Sequence, residues 1–403
     1  MQDASIALTA EQGQGAFSSL QRRFCDLPDG EKMQNHVTVN VSPAIFAENI
    51  RYLRRRVQPA KLCVVMKADA YGHGLEALAP VAAQAGADMI GVCTNNEARL
   101  VRRQHIDIPL LRLRSALPDE YEESATSLHL EEQVGSLVVA DYLHELGRRR
   151  GRPMPVHIKI DTGMGRSGFL PTEVEQIKHA CDLKGLQVVG IMTHLANADD
   201  ADLADTEQQL ETFWNLRNAL DGHLPDEILT HTHNSAATVR LGERRADLVR
   251  VGAACFGVRT SRAFENPAEL QPVMSMKTRI MEVRSVPKDA SIGYGSLFRT
   301  QRRTRIATIP VGFGEGYPRS LFNKGIVLIQ GQRCPVIGRV SLNITTIDIT
   351  DLDADVGWGE EVVLVGNQGD ETITFEELAD KFQSVHTEIN LMAGHMNERS
   401  YND

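Results

Sequence analysis

From Val37 onward, short apolar runs alternate with longer charged stretches of helical character. Eight runs stand out: Leu62–Met66, Met89–Val92, Leu110–Leu113, Leu137–Ala140, Val156–Ile160, Val188–Met192, Ile228–Thr232 and Leu248–Val251. Runs of this length, rich in Val, Ile and Leu, suit strands buried on both faces, and strands that alternate with helices predict a parallel sheet. Eight such units are what a closed (β/α)8 TIM barrel requires, and the span 37–266 fits its usual size of about 250 residues. A doubly wound open sheet is the competing arrangement, but no strand–GxGxxG–helix unit occurs, and no helical stretch follows the GFGEGY of Gly312–Tyr317. After about Asn266 the texture changes to closely spaced β-like runs: Arg305–Ile309, Gly325–Ile329, Cys334–Ile337, Thr345–Ile349 and Glu361–Val365. These predict a C-terminal all-β domain over 267–403, with one short helix from a capping box at Thr374 and Glu377 to about Phe382. The first 36 residues carry no sustained apolar period and many Gln, Asp, Ser and Gly, which predicts an N-terminal arm over 1–36.

Composition narrows the classes of function. The chain has 403 residues, 42% of them apolar and 24% charged, the profile of a folded globular protein. Forty-three Lys and Arg against 53 Asp and Glu leave a net charge of −10, which repels phosphate backbones and anionic membranes, so no nucleic-acid partner is expected. No apolar run approaches the roughly 18 residues that span a bilayer, and the N-terminus lacks a basic patch followed by an apolar stretch. The six cysteines are scattered without a CxxC and sit mostly in apolar runs, as reduced thiols do in a cytoplasmic protein.

In a barrel enzyme the chemistry lies at the carboxyl ends of the strands. Lys67 closes the run Cys63–Met66 and precedes ADAYGHG at Ala68–Gly74. It reads either as a snorkelling surface lysine or as a desolvated amine able to form a Schiff base with an aldehyde cofactor. Arg250 lies near the end of another run, Leu248–Val251, and could be a salt-bridged structural residue; Tyr294, between two glycines, could be a turn tyrosine. His231 and His233 alternate on one strand face, but without further ligands a core or phosphate-side role outweighs a metal site, and no metal is expected.

The words around these residues decide among the readings. VVMKADAYGHG at Val64–Gly74 resembles the pyridoxal-phosphate lysine motif of alanine racemases. The resemblance continues in order through HIKIDTGMGRSG (His157–Gly168), MTHLANAD (Met192–Asp199), HNSAAT (His233–Thr238), LVRVGAACFG (Leu248–Gly257), IGYGSLF (Ile292–Phe298), PVGFGEGYPR (Pro310–Arg319) and IGRVSLNITTIDIT (Ile337–Thr350). It implies a barrel with an appended β domain, pyridoxal 5'-phosphate as cofactor, and a homodimer whose active sites take residues from both chains.

Racemisation removes a proton from one face of the α-carbon and returns it to the other, so two acid/base groups must flank the cofactor. The resemblance gives these roles to Lys67 and to Tyr294 of the partner subunit, with His194 and Arg250 as polarising groups. It sets Arg250 against the pyridine nitrogen, where a permanent cation weakens the ring as an electron sink. It gives the phosphate to Tyr71, Ser235, Gly252 and Ala253, the phenolic oxygen and substrate carboxylate to Arg166, and the substrate mouth to Leu342 and Asn343. Lys159 matches a lysine often carbamylated in the family; as plain chemistry it could equally be a barrel lysine paired with Asp161.

Two departures bear on the substrate. The family usually carries Cys-Met-Asp where this chain has Ser341-Leu342-Asn343, and a tyrosine where His395 aligns. Ser-Met-Asn and a smaller polar residue at those places are features of broad-specificity amino-acid racemases, which LLRLRSA at Leu110–Ala116 also resembles, although those enzymes usually lack the equivalent of Lys159. The expectation is therefore a racemase accepting alanine, with specificity relaxed toward serine or basic amino acids. The alternatives are a strict alanine racemase, a basic amino-acid decarboxylase of the same two-domain plan, or a non-catalytic pyridoxal-phosphate-binding protein.

Overall fold

The structure is a computed structural model that describes residues 36–402 apart from 243–245, 262, 265 and 354. The arm expected over 1–36 lies outside the described residues except for His36. Val37–Asp403 forms one compact unit. No helix among the described residues is long and apolar enough to cross a membrane.

The chain opens with strand β1 (Thr38–Val41) and the helix Pro43–Val57. Ser42 caps that helix by accepting from the Ile45 N–H at 3.2 Å, proline takes its first position, and Phe46, Ile50, Leu53 and Val57 bury one face. Eight parallel strands follow: β2 (Lys61–Val65), β3 (Met89–Val92), β4 (Leu110–Arg112), β5 (Leu130–Val134), β6 (Met154–Lys159), β7 (Leu186–Met192), β8 (Leu229–His231) and β9 (Leu248–Val251). They run β8-β7-β6-β5-β4-β3-β2-β9. Asp247 joins the two ends of this order, its backbone N–H donating to the Thr230 carbonyl at 2.9 Å and its carboxylate accepting from the Thr230 N–H at 2.9 Å. The expected barrel is therefore present.

Its fourth strand, β5, is not where the apolar runs put it. Leu137–Ala140 begins the helix Leu137–Arg150, capped by Ser136, and the strand is the preceding LEEQV of Leu130–Val134. Its three polar residues hide it from an apolar count, yet all have partners in the barrel. Side chains alternate across a strand, so Glu131 and Glu132 face opposite ways. Glu132 meets Arg112 of β4, Nε to Oε2 at 2.8 Å, with both side chains fully buried. Asn95 and Ser124 complete this cluster.

The C-terminal part is mostly β. A seven-stranded sheet runs Gln332–Pro335, Ile326–Ile329, Glu361–Gln368, Met274–Arg279, β1 and Arg399–Tyr401, with Glu371–Ile373 on Glu361–Gln368. So β1, although it precedes the barrel, pairs antiparallel with Met274–Arg279 and parallel with Arg399–Tyr401. A second sheet holds Glu282–Val286, Thr304–Ile309 and Thr345–Asp348. Besides the expected helix Phe375–Phe382, capped by Thr374, there is a second, His386–Met396, which the apolar pattern did not reveal.

Removing one partner of a buried ion pair leaves an uncompensated charge and costs about 3–5 kcal/mol. Glu132→Ala should lower the denaturant midpoint accordingly at unchanged slope, and Arg112→Met in the same chain should recover part of the loss; a midpoint equal to the parent's would show that Arg112 finds another partner.

Candidate active site

Lys67 leaves the carboxyl end of β2 and enters an unusual turn. Ala68, Asp69, Ala70 and Tyr71 all have φ between 51° and 55°, a left-handed helical turn made without glycine. Each such residue costs roughly 1–2 kcal/mol relative to the right-handed form, so the surroundings must over-determine the turn. Glu97 accepts from the Ala68 N–H at 2.6 Å, and Asp69 Oδ1 accepts from the Leu75 N–H at 2.7 Å. Gly72 closes the turn by donating to the Ala68 carbonyl at 3.0 Å. Arg399, far along the chain, donates to Asp69 Oδ2 and, at 3.0 Å, to the Gly72 carbonyl. Glu97 is itself fixed by a capping box with Thr94.

The turn brings Lys67 and Tyr71 to a cavity of about 320 Å3 at the carboxyl ends of the strands. Arg166, His194, Ser235, Arg250, Gly252, Ala253 and Lys159 line it as well. The Lys67 ammonium lies 5.8 Å from the centre of the Tyr71 ring. On the far side Ser235 Oγ accepts from the Gly252 N–H at 3.0 Å. A Cβ on Gly252 would come within 2.3 Å of the Tyr71 hydroxyl, so only glycine lets the phenol reach this wall. Burial pushes the Tyr71 phenol well above its ordinary range, keeping it a protonated donor.

Arg250 is buried in the floor. Its guanidinium donates to the carbonyls of His231 and Thr193, each at 2.7 Å, and meets His231 Nδ1 at 3.2 Å and His194 Nδ1 at 3.4 Å. Arginine only donates, so His231 Nδ1 accepts and His231 carries its proton on Nε2. That nitrogen lies 2.8 Å from His157 Nδ1, and His157 Nε2 lies 2.7 Å from Glu131 Oε2. A single direction of donation thus runs from Arg250 through two neutral imidazoles to a carboxylate. Gly190 makes room for it, since a Cβ there would sit 2.0 Å from His157 Nδ1. Burial lowers the Arg250 pKa to about 10. Burial, with the Arg250 and Lys159 charges, pushes His194 down to about 2, so it is neutral at any physiological pH.

Asp161 organises the neighbouring loop, its carboxylate accepting from the backbone N–H groups of Gly163, Met164, Gly165 and Arg166 at 2.8–3.1 Å. Although burial opposes it, these donors hold the Asp161 carboxyl below its usual range. Lys159 donates to the Ile160 carbonyl at 3.2 Å rather than forming the plain ion pair with Asp161 that its position suggested. Burial and the Arg250 charge lower its pKa to about 7.

Not every expected residue reaches this cavity within one chain. Tyr294 sits at the tip of the hairpin Ser291–Ile292/Phe298–Arg299, between Gly293 and Gly295 at φ 71° and 74°, and is 75% exposed. Leu342 is 55% exposed, and Asn343 is exposed with its amide donating to Glu315 at 2.6 Å. His395 lies beside the lysine turn, its Nε2 4.0 Å from Asp69 Oδ2. Sequence reasoning missed Asp69, Glu97 and Arg399 as supports of the turn and Glu131 and His157 behind Arg250. The capping box of Thr94 and Glu97 was a readable signal for one of them; Arg399 had none.

Comparison with known proteins adds to this geometry. The family models described as alanine racemase, N-terminal domain and alanine racemase, C-terminal domain match residues 41–260 and 273–401. An alanine racemase of Halothermothrix orenii is 37% identical over 330 residues, 82% of this chain and 86% of the relative. A broad specificity amino-acid racemase of Pseudomonas taetrolens is 37% identical over 374 residues, 91% of this chain and 89% of the relative. Among solved structures, the alanine racemase of Bartonella henselae with covalently bound pyridoxal phosphate superposes with a TM-score of 0.84 at 26% identity, covering 91% of this chain and 100% of that one.

The buried amine of Lys159 yields a pH dependence. Unfolded, Lys159 keeps its proton up to about its ordinary 10.5; folded, only up to about 7. Its destabilising effect is therefore complete below about 7 and fades as pH rises toward 10.5, because unfolding takes up a proton in that window. In cofactor-free protein kept free of carbon dioxide, Lys159→Met should raise the denaturant midpoint at neutral pH and flatten its climb toward pH 10. A climb as steep as the parent's would show that another group is responsible.

Proposed function

The chain belongs to the alanine racemase family, and from that premise we propose that it is a pyridoxal 5'-phosphate-dependent amino-acid racemase of relaxed specificity that works with two bases. The observation that supports this most is the meeting in one cavity of Lys67 and Tyr71 with Ser235, Gly252 and Arg250. The donor set fits the cofactor: an amine to hold an aldehyde, a protonated phenol and backbone N–H groups for a phosphate, and a guanidinium for the ring nitrogen. When bound, pyridoxal phosphate withdraws electrons from the α-carbon of an attached amino acid and makes its proton acidic.

The protein's own groups then do the following. Lys67, released by the incoming amine, takes or gives a proton at Nζ on one face of the α-carbon. Tyr294 does so through its hydroxyl on the other. Arg250 stays a donor toward the ring nitrogen, because its other N–H groups are taken up by carbonyls and by the relay to Glu131. A cation held there discourages protonation of that nitrogen, which favours return of the proton to the α-carbon over transfer elsewhere. Neutral His194, against Arg250, is placed to accept a hydrogen bond rather than to carry charge. Arg166 serves the substrate carboxylate, and Ala253 joins Gly252 at the phosphate end. Lys159, neutral over much of the physiological range, has the free amine that adds to carbon dioxide with loss of a proton; the carbamate would face Arg166, one of the charges that lower its pKa.

Tyr294 stands exposed on the β domain, and Leu342 and Asn343 on the same domain line no part of the cavity. We therefore take the working form as a homodimer in which these three residues complete the partner's site. Asn343 where the family has aspartate removes a charge, and modest reshaping of such a pocket alters discrimination by about 1–3 kcal/mol, enough to admit serine or basic side chains beside alanine. The free cysteines among the described residues, Cys63, Cys93, Cys181, Cys255 and Cys334, fit a reducing cytoplasm.

Cofactor-loaded protein given L-alanine, L-serine and L-lysine in deuterium oxide should place deuterium on the α-carbon of both enantiomers, with comparable kcat/KM for at least two of them and no carbon dioxide. Turnover of alanine alone would leave a strict alanine racemase, carbon dioxide release would make the protein a decarboxylase, and an inert α-carbon would leave a binding protein. Lys67→Ala should lose the borohydride-sensitive visible band of the loaded protein.

Mixing Lys67→Ala chains with Tyr294→Phe chains should restore part of the activity that each lacks, since one site of the mixed dimer would be whole. Confirmed subunit exchange without recovery would place both residues in one chain's site.

A further inference from the structure

The left-handed turn that carries Lys67 and Tyr71 receives support from the last strand of the chain. Arg399 belongs to Arg399–Tyr401, which pairs in parallel with β1. One guanidinium nitrogen, Nη1, bridges the turn by donating to both the Asp69 carboxylate and the Gly72 carbonyl. Asp69 is in turn spent on both sides, with Oδ1 on the Leu75 N–H and Oδ2 on Arg399. The neighbouring helix closes on the same point: a Cβ on Gly394 would come within 1.9 Å of the Gly72 carbonyl oxygen, and one on Gly72 within 2.6 Å of the Asn390 carbonyl oxygen. The Tyr401 hydroxyl approaches equally closely, 1.9 Å from where a Cβ on Gly74 would lie. Four successive residues in a disfavoured conformation are thus held between β2 and the C-terminal segment.

We propose that Asp69 and Arg399 are a positioning pair that sets the geometry of the cofactor lysine, by clamping the left-handed turn so that Lys67 and Tyr71 face one cavity. Neither residue lines that cavity. Both act through the backbone between them and Lys67, and the proposal rests on the reading of Lys67 as the cofactor-binding amine. His395, 4.0 Å from the shared Asp69 oxygen, is the other titratable group facing the pair from the C-terminal helix.

The first test needs no cofactor. Hydrogen exchange of the segment 67–74 in the apo full-length chain reports the turn directly, because the Gly72, His73 and Gly74 amides all donate within it. Arg399→Met should speed exchange in this segment while the strands β6 and β7 keep their protection. In the loaded protein the same change should weaken cofactor retention and lower kcat by roughly tenfold to a hundredfold, the scale on which small displacements of a reacting group act, with KM little changed. Arg399→Lys, which keeps a single cationic nitrogen able to donate to both acceptors, should recover part of each effect. Should Arg399→Met fail to fold, Asp69→Asn keeps the acceptor for Leu75 and replaces the oxygen that accepts from Arg399 with an amide donor, and it should reproduce the exchange result. Unchanged exchange at 67–74 in either variant would overturn the clamp whatever the parent's activity. A parent that forms no borohydride-sensitive band would instead overturn the reading of Lys67, with the exchange result still deciding the clamp. A drop in melting temperature with exchange raised equally everywhere would assign the pair to general stability and refute the proposal.

Discussion

A guanidinium buried inside the barrel can only donate and has to be met by groups that accept, and much of the barrel's interior is arranged around that requirement. Arg250 uses two backbone carbonyls and two imidazoles, and the imidazole on β8 passes the demand to β6 and on to Glu131 of β5. Because arginine cannot accept, the tautomer of every group in this line follows from the first. The negative charge that balances Arg250 therefore stands across the barrel and not beside it. A carboxylate in direct contact would occupy the donors and partly cancel the cation; at a distance, through neutral rings, it compensates for burial and leaves the positive charge of the guanidinium on the cavity wall.

This arrangement also explains what could and could not be read from the sequence. Strands such as Met89–Val92 and Leu248–Val251 declare themselves because both faces meet apolar neighbours. Leu130–Val134 does not, because Glu131 serves the relay and Glu132 neutralises Arg112, so the strand's polarity is functional and electrostatic while its burial is that of its neighbours. Leu137–Ala140 looked more like a strand than the strand did, and only the Ser136 cap marked it as a helix start. Local propensity was misled where the barrel interior is polar.

The site divides in the same way. Lys67, Tyr71, Ser235, Gly252 and Arg250 were legible as motif words and converge in space, because each sits at the end of its own strand or in the turn just after it. Asp69 was in plain view inside one of those words, but its partner Arg399 is 330 positions away, and no local pattern joins them. Tyr294 and Asn343 were legible as residue types, but within one chain they stand away from the cavity that Lys67 and Tyr71 line.

The placement of β1 has a consequence in time. A strand made before the barrel finds its parallel neighbour, Arg399–Tyr401, only some 360 residues later, as the register Val39 to Arg399 shows. During synthesis the barrel's residues leave the ribosome with β1 lacking that neighbour and with the lysine turn lacking Arg399. Domains generally fold as units from the N-terminal end, but β1 and the Lys67–Tyr71 turn both take a neighbour from the C-terminal strand, which is synthesised after the whole barrel. A nascent chain that ends before Arg399 lacks the one guanidinium that meets both Asp69 and the Gly72 carbonyl, so the Lys67–Tyr71 turn gains its last support only with the strand Arg399–Tyr401.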